Sequence, residues 1–243
     1  MNLSSRQLRA LASDVDDLHH DGMRAFREQS AEIHLDAYRA SRRRFLAGSA
    51  GVLGVVTAGS MLSLPGARVR RAGAAGLDDK TIAGYAQSVE LAAVAAYTAA
   101  AGVLSAGTKP VAELFLSHHQ QHADAFGSVA GDKAATGPNA KLVAALTPTL
   151  QGIKDEKGAL EFAFVLEGQA AYTYAAALTL LQDPAYAAAT STILPIEAQH
   201  QTVLGLALGK SVSDVFPTGA FEAAKLGDGT DPLAGLDPAV FAG

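Results

Sequence analysis

The chain has 243 residues, 49% hydrophobic but only 18% charged and 6% aromatic, and it contains no Cys and no Trp. Without Cys there are no disulfides, zinc fingers, thiolate metal sites, iron–sulfur clusters or Cys nucleophiles. The net charge of −5 gives no ground for nucleic-acid binding. An apolar share rich in Ala and Leu favours helices over a sandwich or barrel.

Charge divides the chain in two. All 11 Arg lie in the first 74 residues, against 7 acids, for a net +4. From residue 75 onward 8 Lys face 17 Asp and Glu, for a net −9. The break predicts a leader over 1–74, a bundle over 75–210 and a Gly/Pro-rich tail over 211–243.

Within the leader, Asp14, Asp16, Asp17, His19, His20 and Asp21 form an acidic–His cluster. Its residue types suit a metal, but a solvated helix face is the expected reading. Then come Ser41-Arg42-Arg43-Arg44-Phe45-Leu46 and a soft apolar stretch over 45–64, interrupted by Gly48, Gly51, Gly54 and Gly59. Ala72-Gly73-Ala74 fits a small-x-small cleavage site. This layout resembles the twin-arginine export signal of bacteria. The resemblance implies passage through the twin-arginine machinery as a folded cargo, to the periplasm, cell wall or exterior. An uncleaved 45–64 would instead touch the membrane, though its glycines weaken insertion.

The acidic part repeats itself. Glu90 and Tyr97 match Glu167 and Tyr174 at an offset of 77, and His122 and Gly127 match His200 and Gly205 at 78. This predicts a duplicated helical hairpin. The four helices are expected over 79–104, 110–129, 155–182 and 185–208, with Asp78 or Asp79 capping the first. A short helix is expected over 141–154, and Pro195 should kink or restart the last helix. Two short turns around one long connection define a single-crossover four-helix bundle, which is the ferritin-like topology.

The matched windows carry the chemistry. Glu90 and Glu167 each lie in apolar helix, where a carboxylate is costly to bury unless paired or cation-bound. His119 and His122 share one helix face, as do Glu197 and His200. The di-iron carboxylate bundle takes one Glu from each of two helices and a Glu-x-x-His from each of the others. Glu90, Glu167 and Glu197-x-x-His200 fit that set, and His119-x-x-His122 fits with His in place of Glu. His118 is a rival to His119 that breaks the repeat register. Tyr97, Tyr172 and Tyr174 are expected to pack with their hydroxyls at the bundle edge, the alternative being a hydrogen bond to a ligating carboxylate or an electron relay.

Residues 78–208 resemble the ferritin-like superfamily, in particular bacterial ferritin-like domain proteins with twin-arginine signals. The resemblance implies an all-α bundle whose metal residues are Glu90, His119, His122, Glu167, Glu197 and His200. It implies iron, with two ions possible although three carboxylates leave them one positive charge unmatched, or a single ion, or else manganese or zinc. It also implies Fe(II) oxidation of the ferroxidase kind. The alternatives are a non-enzymatic metal-binding or stress-protection protein and a metal-free interaction bundle. No Gly-rich phosphate loop and no hydrolase-type nucleophile–base pair stands out.

Overall fold

The computed structural model describes residues 3–49, 78–178, 180–211 and 215, with only the backbone described at 32, 35–49 and 176. The described residues form six helices: α1 Ser5–Ser49, α2 Asp79–Ala100, α3 Lys109–Ala130, α4 Ala140–Gly152, α5 Glu156–Leu178 and α6 Pro184–Ala207. There is no strand among them. The four expected bundle helices are α2, α3, α5 and α6, and the short crossover helix is α4.

The helix starts follow from side-chain capping of free backbone N–H groups. Asp78 accepts from the Thr81 N–H at 2.7 Å, Asn139 from Leu142 at 3.0 Å and Asp183 from Ala185 at 2.9 Å. Asp79 does other work. It accepts the Gln182 and Asp183 N–H groups at 3.0 and 2.7 Å, which ties the start of α2 to the α5–α6 turn. At the other end of the first hairpin, α3 stops at Gly131, whose φ of 60° suits a residue without Cβ.

Helix α2 packs on α3, and α5 on α6. The matched glycines mark close approaches. A Cβ on Gly127 would strike Gln87 of α2, and one on Gly205 would strike Phe164 of α5 and Val215. Gln87 and Phe164 are themselves 77 residues apart, so the repeat extends to the packing. Val215 is buried, and apart from Ser211 the rest of the tail lies outside the described residues.

The last helix does not restart at Pro195, since α6 runs unbroken across it. Pro195 and Ser191, whose carbonyl the proline leaves without its helical donor, are both exposed. Water can serve that carbonyl. On the other face Ile193 and Ile196 are buried, and that burial offsets the cost of the proline.

Helix α1 is the larger surprise. It lies chiefly against α6 and next against α3. Leu8, Ala12, Val15, His19, Met23, Phe26, Ser30 and Ile33 are all buried. They fall at steps of three and four, the spacing of one helix face. Met23, Phe26 and Ile33 share a core with Phe126, Tyr174, Tyr186 and Ile193. Leu8, Ala12 and Val15 join Phe115, Ile196 and Leu204 in a second one. The break near residue 75 therefore divides charge but not packing. The expected solvated face is corrected at His19, which is fully buried, while Asp14, Asp17, His20 and Asp21 are exposed. The backbone of 41–46 is helical at the end of α1. Residues 50–77, with most of the soft apolar stretch and Ala72-Gly73-Ala74, lie outside the described residues. No described helix is long and apolar enough to cross a membrane.

Candidate metal centre

All six expected metal residues meet in the bundle core. Glu90 comes from α2, His119 and His122 from α3, Glu167 from α5, and Glu197 and His200 from α6. Every one is buried, at 2% exposure or less. They form two overlapping sets, Glu90–His119–His122–Glu197 and His119–Glu167–Glu197–His200, and within each set one ligand atom per residue lies within 4.8 Å of the others. His119 and Glu197 belong to both.

The His119 ring spans the two repeats. Its Nδ1 is 2.7 Å from Glu90 Oε2 and its Nε2 3.0 Å from Glu167 Oε1. His200 Nδ1 lies 3.2 Å from Glu167 Oε2 and 3.5 Å from Glu197 Oε2. His122 Nδ1 lies 2.8 Å from Glu197 Oε1, yet that pair is not aligned as a hydrogen bond. Both His122 ring nitrogens and both Glu197 oxygens lack a hydrogen-bond partner among the described residues. Buried polar groups are almost always satisfied. His122 Nδ1 and Glu197 Oε1, orphaned at contact distance, suit a shared third atom between them.

The electrostatics agree. Burial alone would raise the Glu90 pKa, but the His119 and His122 imidazoles outweigh it and bring it down to about 2. Glu167 is likewise held well below the carboxylate range by His119 and His200, against burial. Burial opposes the charged imidazoles, but Glu167 and Glu197 hold His119 well above its usual range. Glu197 and Glu90 lift His122 to about 9. Without a cation the cluster is thus a mutually compensated set of carboxylates and imidazoliums. A divalent ion would replace those protons.

Two tyrosines belong to the cluster. Tyr97 donates to Glu167 and Tyr174 donates to Glu90. Burial and the adjacent carboxylates push both phenols well above their usual pKa, which keeps them protonated donors. The expectation of hydroxyls at the bundle edge is corrected for these two. Tyr172 is exposed.

His118 is not one of the six but joins His200 to α1. Its Nδ1 is 2.9 Å from His200 Nε2, and its Nε2 is 3.0 Å from Asp16 Oδ1 on α1. Burial and the neighbouring His200 lower its pKa to about 3, so it is neutral. Asp16 and His19 were not among the expected site residues. His19 lies on the buried stripe of α1 and Asp16 at its edge, which was the signal for them.

On the opposite side, α4 leans over α2 and α5 without burying any residue fully. A cavity of about 1140 Å³ remains beneath it, lined by groups such as Tyr85, Leu146, Phe162 and Val165. Its walls include Glu90 and His119, so a small molecule inside it reaches the cluster.

Carboxylates and imidazoles are a donor set for iron, manganese or zinc, and the buried cluster is compatible with a metal site. A single-crossover bundle with such a core defines the ferritin-like class. The family model described as ferritin-like domain matches residues 74–210, more than half of the chain, and the chain belongs to that family. No curated protein and no solved structure matches it.

Proposed function

We propose that the protein binds iron in its bundle core and oxidises Fe(II). The observation that carries this reading is the orphaned set on His122 and Glu197, buried together in a family that uses this position for metal. In this reading Glu90, Glu167 and Glu197 hold the ions by carboxylate oxygen. His122 and His200 supply terminal nitrogen, and His119 stands where the usual set has a fourth carboxylate. Tyr97 and Tyr174 orient Glu167 and Glu90 by donating to them. Fe(II) is the substrate: each ion gives up one electron, and dioxygen or peroxide takes it. The cavity under α4 gives the oxidant a route to Glu90 and His119 that does not cross packed core.

The test is oxygen uptake on adding Fe(II) to the folded protein, beside a Glu167→Ala variant. Uptake in the parent and background uptake in the variant support the reading. Background oxygen uptake in the parent, with Fe(II) oxidation by added peroxide also at background, overturns the oxidase.

The missing carboxylate favours a second reading, binding without turnover. Three carboxylates leave two divalent ions one charge short. Iron that is retained without oxygen uptake would establish that alternative.

Export through the twin-arginine route is a further part of the proposal, supported by Ser41, Arg42, Arg43, Phe45 and Leu46. Cleavage after Ala74 would take α1 off the bundle. N-terminal sequencing of the exported chain distinguishes a cleaved from a retained leader.

A further inference from the structure

Helix α1 brings its own donors to the bundle. Asp16, His19 and His20 stand at i, i+3 and i+4, which places them on one helix face. One ligand atom from each lies within 4.8 Å of the others. His19 is fully buried, and neither of its ring nitrogens has a hydrogen-bond partner among the described residues. Leaving such a group unsatisfied is costly. Packing does hold the ring, which stacks on His118 at 3.7 Å between centroids.

The outer rim is open. The His20 side chain is 63% exposed, and its Nδ1 lies 2.8 Å from the Asp16 carbonyl oxygen and 3.2 Å from Asp16 Oδ1. Asp14 and Asp17 lie exposed on the same turns, while Asp21 is paired with Arg24. That field concentrates cations at the helix surface.

We propose that Asp16, His19 and His20 form a second metal site, separate from the core cluster, for one divalent ion of the zinc, cobalt or iron class. Two imidazoles and one carboxylate select borderline ions over calcium or magnesium. Three protein ligands leave a position for water. The site abuts the core, because the His19 ring lies 5.1 Å from that of His122 between centroids, and Asp16 meets His118 at 3.0 Å while His118 meets His200 at 2.9 Å.

The experiment is Zn(II) equilibrium dialysis of the full 243-residue chain, with metal counted by plasma mass spectrometry, on the parent, His20→Ala and Asp16→Asn. His20 is exposed, so its loss leaves the core packing in place, and circular dichroism checks the helix content. Both variants should bind one ion fewer than the parent, and a large excess of calcium should not remove that ion. A parent holding one ion and variants holding none would support this site while removing the core reading. Equal counts in the parent and His20→Ala, or displacement of the ion by calcium, would overturn the proposal.

Discussion

Tyr97 on α2 donates its hydroxyl to the buried carboxylate of Glu167 on α5. The repeat returns the contact, since Tyr174 on α5 donates to Glu90 on α2. Each hairpin therefore orients the carboxylate of the other, and the pseudo-symmetry of the sequence becomes a crossed pair of hydrogen bonds. Partners of this kind fix the direction of a ligating oxygen.

Replacing Tyr97 or Tyr174 with Phe removes one donor and keeps the ring. Each variant should weaken metal binding by roughly 10–100-fold, and the double variant more. Competition against a chelator reads the affinity. Unchanged affinity in both single variants would mean that the carboxylates are held by other contacts.

Metal binding should release protons. His122 sits at about 9 in the metal-free fold, against an ordinary 6.5. Its stabilisation is therefore fully present below 6.5 and is lost as pH rises through about 9. Glu90, at about 2, acts in the opposite sense. Its contribution is present above the ordinary carboxylate pKa and is lost as pH falls through about 2. Zinc-loaded protein keeps its cluster without those imidazole protons. The gap between zinc-loaded and metal-free Tm should therefore widen from about pH 6 to about pH 9. A constant gap would show that the imidazoles are already neutral in the metal-free fold.

Helix α1 should be part of the stability of the full chain. Phe26 is buried and meets Phe126 edge-on at 5.7 Å between centroids. Phe26→Ala should cost about 3–5 kcal/mol, read by urea denaturation. A loss below about 0.5 kcal/mol, the scale of an exposed position, would mean that α1 does not stay seated on the bundle in solution.

The repeat made the core legible. An offset held from Glu90 and Tyr97 to His122 and Gly127 reflects two hairpins that place equivalent residues at equivalent depths. Choosing His119 over His118 by register matches the geometry, since His119 spans Glu90 and Glu167 while His118 faces Asp16. The role of α1 was harder to read. Its stripe from Leu8 to Ile33 is regular, but Arg-rich surroundings and the export-like motif at 41–46 drew it into a leader. That a tyrosine could meet a ligating carboxylate was legible, but which carboxylate was not. A sequence gives the helix face of Tyr97, but its hydroxyl finds Glu167 across a different helix, 70 residues away. The helix does not restart at Pro195 because proline acts on the local backbone, whereas the continuation of α6 is decided by burial of Ile193 and Ile196.

His119→Glu restores the fourth carboxylate of the family set. It should tighten binding of the second divalent ion, because two ions then meet a balanced charge. It should also remove the imidazole that joins Glu90 to Glu167 in the metal-free state. The metal-free variant should therefore be less stable than the parent, and the loaded variant more stable. A thermal melt with and without Mn(II) reads both. Lower stability in both states would show that His119 is needed for the packing itself.

The central claim is that the buried cluster of Glu90, His119, His122, Glu167, Glu197 and His200 holds metal. Plasma mass spectrometry of the folded full-length chain after iron reconstitution, beside Glu167→Ala and His20→Ala, tests it most directly. The account predicts core iron in the parent that His20→Ala retains and Glu167→Ala loses. Iron content unchanged by Glu167→Ala, or no iron retained by His20→Ala, would contradict it.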